Sequence, residues 1–192
     1  METGREAEER DSLAERLADG DPTAPRDLVQ SHYTELYRYA FSMLRDRPSA
    51  EDAVQMALEK ALIALGGYSE TRIRALKLRA WLYRITLNVI RNKVRDTRRE
   101  VPVPEAPENP YGRMQPASSH DNREAWLDTL AALERLPEKQ KTAVSMRYLS
   151  DLPYSEISEV TGWPEGTVKT LVRRGVVRLR VLLLDTKRKD LG

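Results

Sequence analysis

Cysteine is absent from the 192 residues, which removes disulfides, thiol chemistry and cysteine-ligated metal from consideration. Histidine is nearly absent: His32 and His120 lie 88 positions apart, too few for a metal cluster or a relay. Nine glycines occur, and none builds a phosphate cradle, because Gly162-Trp163-Pro164-Glu165-Gly166 lacks a following Lys-Ser/Thr. No catalytic residue, metal or cofactor is expected, and the chain does not read as an enzyme. No run approaches the roughly 18 apolar residues of a membrane span. The opening METGREAEERD lacks the basic and apolar regions of a secretory signal. A soluble, cytoplasmic protein without membrane insertion is expected. No strand-like alternation of useful length is present either, which leaves an all-α chain.

Charge is plentiful, and it is segregated. The net charge is only +2, yet residues 1–25 hold eight acids against three arginines, residues 72–99 hold ten bases against Asp96, and residues 165–189 hold eight bases against two acids. Two basic blocks in a nearly neutral protein point to two contacts with a polyanion, nucleic acid being the commonest. The plainer alternative is two solvated helix faces, so the arrangement inside each block decides.

Five of the 11 prolines fall in residues 100–122, at positions 102, 104, 107, 110 and 116. Such a stretch favours extended backbone over helix. It reads as a linker between helical domains at 26–99 and 123–186, with residues 1–25 an acidic, flexible or weakly helical segment.

In the first domain Leu28, Val29, Tyr33, Leu36, Tyr37, Ala40 and Leu44 recur at helical spacing, in a helix expected to end near Arg47-Pro48. Ser49 is the expected N-cap of the next helix, with Asp52 as its capping-box acid. That helix buries Ala53, Val54, Ala57, Leu58, Ala61, Leu62 and Leu65, and Asp52, Gln55 and Glu59 form a polar stripe opposite. A loop or short helix follows to Lys77. From Leu78 to about Arg99 one helix carries two apolar stripes, Leu78, Leu82, Ile85, Val89 and Tyr83, Leu87, Ile90, Val94. Between them runs a polar seam of Arg84, Asn88, Arg91 and Arg95. Arginine suits phosphates and asparagine suits base edges.

The second domain ends as helix, short helix, Gly162-Trp163 turn and long basic helix opened by Pro164. Val168, Val172, Val176, Leu179 and Leu183 form its buried stripe, leaving Lys169, Thr170, Arg173, Arg174 and Arg180 outside. This is a helix-turn-helix layout, whose second helix enters the major groove.

Three stretches together resemble the sigma-70 family, in its extracytoplasmic-function group. PSAEDAVQMALEKAL (48–62) is similar to the region-two helix that grips the coiled coil of the large RNA polymerase subunit. RAWLYRITLNVIRNKVRDTRR (79–99) resembles the helix that melts and reads the −10 element, and residues 133–180 resemble region four, which reads the −35 element. The resemblance implies a region 2 bundle and a region 4 helix-turn-helix joined by the Pro-rich linker. It implies a promoter-directing protein, monomeric when free, with core RNA polymerase, promoter DNA and an anti-sigma factor as partners. Asp52, Gln55 and Glu59 would then contact polymerase. Asn88 would lie at the flipped −10 base, with Arg84, Arg91 and Arg95 on phosphates, and the loop at 66–77 would close over that base, with Arg72, Arg74 and Lys77 on nearby phosphates. Trp81 is expected in the core. Lys169, Thr170, Arg173 and Arg174 match the −35-contacting positions, with one departure: Leu171 stands where the family usually has arginine. The competing reading is a helix-turn-helix regulator that binds a palindrome as a dimer. It leaves the seam at 84–95 unexplained.

Overall fold

The computed structural model describes residues 13–97 and 120–189. The expected linker falls outside the described residues up to position 119. Among the described residues there are nine helices and no strand: α1 (13–18), α2 (Ala24–Leu44), α3 (Arg47–Gly66), α4 (Glu70–Arg74), α5 (Leu78–Thr97), α6 (His120–Glu134), α7 (Glu138–Tyr148), α8 (Tyr154–Thr161) and α9 (Glu165–Lys189). The all-α expectation holds. No helix among the described residues is long and apolar enough to cross a membrane.

The first unit is built on α2, α3 and α5, each packed on the other two. The buried face of α3 is mostly alanine (Ala50, Ala53, Ala57 and Ala61), which lets its neighbours approach closely. Larger groups fill the space between α2 and α5: Leu28, Leu36 and Tyr39 from one, Leu82, Tyr83, Leu87 and Ile90 from the other, all at most 1% exposed. Each such aliphatic side chain contributes roughly 1.5–3 kcal/mol relative to exposure. The tilted pair Tyr39–Tyr83, with ring centroids 5.4 Å apart, ties the two helices at mid-height. The two expected stripes of α5 are both seated, with Ile85 and Val94 only partly buried.

Three local expectations are corrected, and a fourth is narrowed. Helix α2 stops at Leu44, where Arg45 turns left-handed (φ 60°), rather than at Arg47-Pro48. The N-cap of α3 is Asp46, not Ser49: its carboxylate accepts from the Ser49 backbone N–H at 2.8 Å, satisfying one of the orphan donors of the first turn. Tyr33, placed in the apolar stripe, is 38% exposed and stacks on Tyr37 instead. Of the two alternatives for the N-terminal segment, flexible or weakly helical, residues 13–18 take the helical one. Leu13, Ala14 and Ala18 are buried, and Arg16 bridges Asp21 and Asp27, both at 2.7 Å. The Thr23 backbone N–H and then Arg16 hold the Asp21 carboxyl at about 2. Residues 1–12 lie outside the described residues.

The second unit packs α6, α7 and α8 on α9, around Leu130, Leu133, Met146, Leu152, Ile157, Val168 and Val172. Helix α6, starting at His120, was not anticipated, because its first residues were read into the linker. Gly162 ends α8 with φ 72° and returns its N–H to the Ser158 carbonyl, a position where a Cβ is strained. Ser158 Oγ donates to the Trp163 carbonyl at 2.6 Å and locks the turn before α9. Gly175 answers a different need: a Cβ there would sit 2.5 Å from Val144 Cγ2, so α7 and α9 touch at this point.

Candidate nucleic-acid interface

Helix α5 places Arg84, Asn88, Arg91 and Arg95 along one face, Arg91 half-buried and the others exposed. Asn88 also lines a cavity of about 320 Å³ between α3 and α5, the lower end of the roughly 300–1,000 Å³ usual for small-molecule sites. Around it stand a second amide, Asn92, one ammonium, Lys60, and two rings, Tyr68 and Trp81, with Ile85 and Val89 as the floor. The rings meet at 56° with centroids 6.0 Å apart, and the Arg72 guanidinium lies 3.6 Å from the centroid of Tyr68. Flat apolar walls with amides at one edge suit an unstacked nucleobase: π-faces hold any base, and an amide pairs with its edge.

The sequence reading had put Trp81 in the core. It is half-buried and is a wall of this cavity. Asn92, Lys60 and Tyr68 were not singled out. The spacing of Asn88 and Asn92, one helical turn apart, was the available signal for the first of them.

The basic groups around the loop at 66–77 are engaged within the protein. Arg72 lies over Tyr68, Arg74 pairs with Asp19 and Glu70, and Lys77 pairs with Glu159. Arg84 donates to the Glu159 carbonyl, and Arg95 sits 3.7 Å from Asp96.

The stripe on α3 is exposed as expected. Gln55 donates to Glu59 at 3.1 Å, and Asp52 pairs with Lys93 of α5. Two apolar residues share this face and were missed: Met56 and Ile63, 36% and 78% exposed. They follow Asp52 at i+4 and i+11, so the stripe is amphipathic rather than purely polar.

On α9 the side chains of Lys169, Thr170, Arg173 and Arg174 are exposed. Lys169 pairs with Glu165 at 2.7 Å, which raises its pKa, and lies 5.8 Å from the ring of Tyr154. Thr170 Oγ1 is turned back to the Gly166 carbonyl at 2.9 Å. Arg173 and Arg174 have no ion pair among the described residues, and they project from a helix whose opposite side, Val168 and Val172, is fully packed. Leu171 packs partly against that core. An apolar side chain at 171 therefore serves packing.

His32 is 2% exposed. Its Nδ1 lies 2.6 Å from Glu35 Oε1, and Arg79 Nε donates to Glu35 Oε2 at 3.0 Å. Burial alone would raise the Glu35 carboxyl, but His32 and Arg79 outweigh it and hold it below its usual value. Arg79 then reaches the Ser150 carbonyl in the second unit. No group of three or more His, Cys, Asp or Glu able to hold a metal occurs among the described residues.

Comparison with known proteins adds to this geometry. Residues 28–100 match the family description "Sigma-70 region 2" and residues 127–179 match "Sigma-70, region 4", together about two thirds of the chain. The chain is 27% identical over 176 residues to the ECF RNA polymerase sigma factor SigW of Bacillus subtilis, covering 86% of this chain and 92% of that one. It is 29% identical over 168 residues to the ECF RNA polymerase sigma factor EcfG of Rhodopseudomonas palustris, covering 87% and 89%. Among solved structures it is similar to the sigma factor RpoE of Bartonella quintana in complex with the anti-sigma factor NepR, with 26% identity, TM-score 0.64, and 82% and 97% of the two chains covered.

Proposed function

The chain belongs to the sigma-70 family, in its extracytoplasmic-function group, and from that premise we propose how it acts as an RNA polymerase sigma factor. The first unit docks on core polymerase through the α3 stripe of Asp52, Gln55 and Glu59. The α5 seam then follows the non-template strand, with Arg84, Arg91 and Arg95 neutralising phosphates and fixing register. One base leaves the stack and enters the cavity beside Asn88. Tyr68 and Trp81 offer it aromatic faces, while the Asn88 and Asn92 amides offer a donor and an acceptor to its edge. Lys60 stands at the rim for the adjoining phosphate.

The second unit places α9 in the major groove of the −35 element. Arg173 and Arg174 suit the two acceptors of guanine, each worth roughly 1–3 kcal/mol of discrimination. Lys169 and Thr170 steady the helix on the backbone. No catalytic step is assigned to the chain, and its place of work is the cytoplasm, with the polymerase. By likeness to RpoE, which was solved with NepR, an anti-sigma factor is the expected negative regulator.

The observation that carries this reading is the cavity at Asn88. Two amides, two rings and one ammonium line an open recess beside a basic seam, which a regulator that only grips duplex DNA has no use for. Run-off transcription with core polymerase on fragmented genomic DNA tests it. New starts that share two upstream motifs are expected, and no new starts combined with tight binding to a palindromic duplex would overturn it.

A further inference from the structure

The aromatic wall of the Asn88 cavity rests on a segment that cannot hold itself in place. Tyr68 lies between α3 and α4, and α4 has only five residues, far below the ~12–15 that an isolated helix needs in water. Ser69 Oγ caps it by accepting from the Arg72 backbone N–H at 3.3 Å, and Ile73 is its buried side chain. Arg74 ties it to a distant part of the unit, pairing with Asp19, 55 positions earlier, and with Glu70 at 3.3 Å.

Asp19 is itself fixed. It directly follows α1, whose Leu13, Ala14 and Ala18 are buried, and its backbone N–H donates to the Glu15 carbonyl at 2.8 Å. Gly20 then turns with φ 74°. Arg16 of α1 crosses that turn to Asp21 at 2.7 Å, Thr23 at 2.8 Å and Asp27 at 2.7 Å. An acid is therefore held at a set point against α4. Within α4 the Arg72 guanidinium lies 3.6 Å from the Tyr68 centroid, against 5.7 Å for Arg147 over Tyr154. Tyr68 lines the cavity and Arg72 does not, so the cation backs the ring and leaves its inner face to a base.

We propose that α1 and α4 form a brace for the captured base: Asp19 holds α4 through Arg74, α4 holds Arg72 behind Tyr68, and the ring is thereby preset for stacking. Asp19, Arg72 and Arg74 are positioning residues in this arrangement. A preset ring reduces the ordering that capture requires. The inference rests on the reading of the cavity as a base site given above. Charge makes it testable, because an acid beside a strand of phosphates that served only as surface charge would repel the strand, and its removal would tighten binding. As part of a brace, its removal weakens the component of binding that depends on the base.

The test uses the full chain with core polymerase on a synthetic promoter whose −10 region is already unpaired. An abasic residue is placed at each −10 position of the non-template strand in turn, and the largest loss of affinity marks the captured base. The ratio of affinities for the intact and that abasic template reports the base and cancels the phosphate contacts. The native chain should favour the intact template about fivefold or more, as stacking on an aromatic ring implies. Asp19→Ala and Arg72→Ala should each lower the ratio about two- to fivefold, the range for one exposed ion pair or cation–ring contact. The swap Asp19→Arg with Arg74→Asp should restore it, which neither a loss of folding nor a change of net charge can do. An unchanged ratio in Asp19→Ala or in Arg72→Ala, or a swap that stays as low as Asp19→Ala, would overturn the brace. If the native chain does not distinguish the two templates at any position, the cavity reading itself fails and the brace falls with it.

Discussion

Helices α5 and α9 are both long, basic and amphipathic, yet they spend their cations differently. In α5, Arg79 and Arg84 reach backbone carbonyls of the other unit, and Lys93 pairs with Asp52. Two of its three sides are buried, and the third holds a cavity. In α9, Arg173 and Arg174 stand in water, and packing claims only one side. A helix that enters an intact major groove needs a protruding ridge of mobile charges. A helix that receives an extruded base needs a walled recess whose polar groups are already aimed, and it gains little from added charge. Affinity for duplex should therefore come mainly from α9 and fall with salt, and selectivity for the melted strand mainly from the Asn88 cavity.

The comparison breaks most completely if either scaffold fails. Leu87→Ala empties a fully buried site in the first unit and should cost about 2–5 kcal/mol in denaturant unfolding. In the second unit, Gly175→Val forces α7 away from α9 and should cost roughly 1–3 kcal/mol or more, weakening −35 recognition before strand capture. The double change Arg173→Ala with Arg174→Ala should lower transcription from −35-dependent promoters by about 1–3 kcal/mol per lost guanine contact. Promoters that differ only in the −35 element should converge in strength, measured by competitive run-off. Lys169→Ala should have a smaller effect, weakening all duplexes alike and reducing the slope of log affinity against log salt by about one.

Acid separates the units in a different way. His32 and Arg79 hold the Glu35 carboxyl below its ordinary value, so the folded state binds that proton less readily than the unfolded chain. Its contribution to stability is present above the ordinary carboxylate value and is lost as pH falls through the lowered one. Glu35→Gln should flatten the acid limb of the unfolding midpoint, because the neutral amide has no proton to gain.

Much of this was legible in the sequence, for reasons that can be named. The stripes of α3 and α5 were readable because apolar residues repeat at helical spacing, and the packed helices obey that repeat. The seam at 84–95 was readable because polar residues interrupt two apolar stripes at a constant interval. Asp46 lost to Ser49 as a cap in the reading because both residue types cap helices, and only the backbone path decides which carboxylate or hydroxyl faces the free N–H groups. The burial of His32 could not be read from its neighbours: it sits beside Glu35, whose other oxygen is held by Arg79, 44 positions from Glu35. The contact between units could not be read at all. Three of its acceptors are the carbonyls of Met43, Ser150 and Glu159, and a backbone carbonyl is the same for every residue type.

The most direct measurement follows −35 protection and −10 melting together, by footprinting and permanganate reactivity, in complexes of core polymerase with the native chain, with Asn88→Ala and with Arg173→Ala/Arg174→Ala. The division between α5 and α9 predicts that Asn88→Ala keeps the −35 footprint and loses reactivity of the melted strand, while the arginine pair loses the footprint first. Equal loss of both signals in the two variants, with each variant still folded and bound to polymerase, would contradict it.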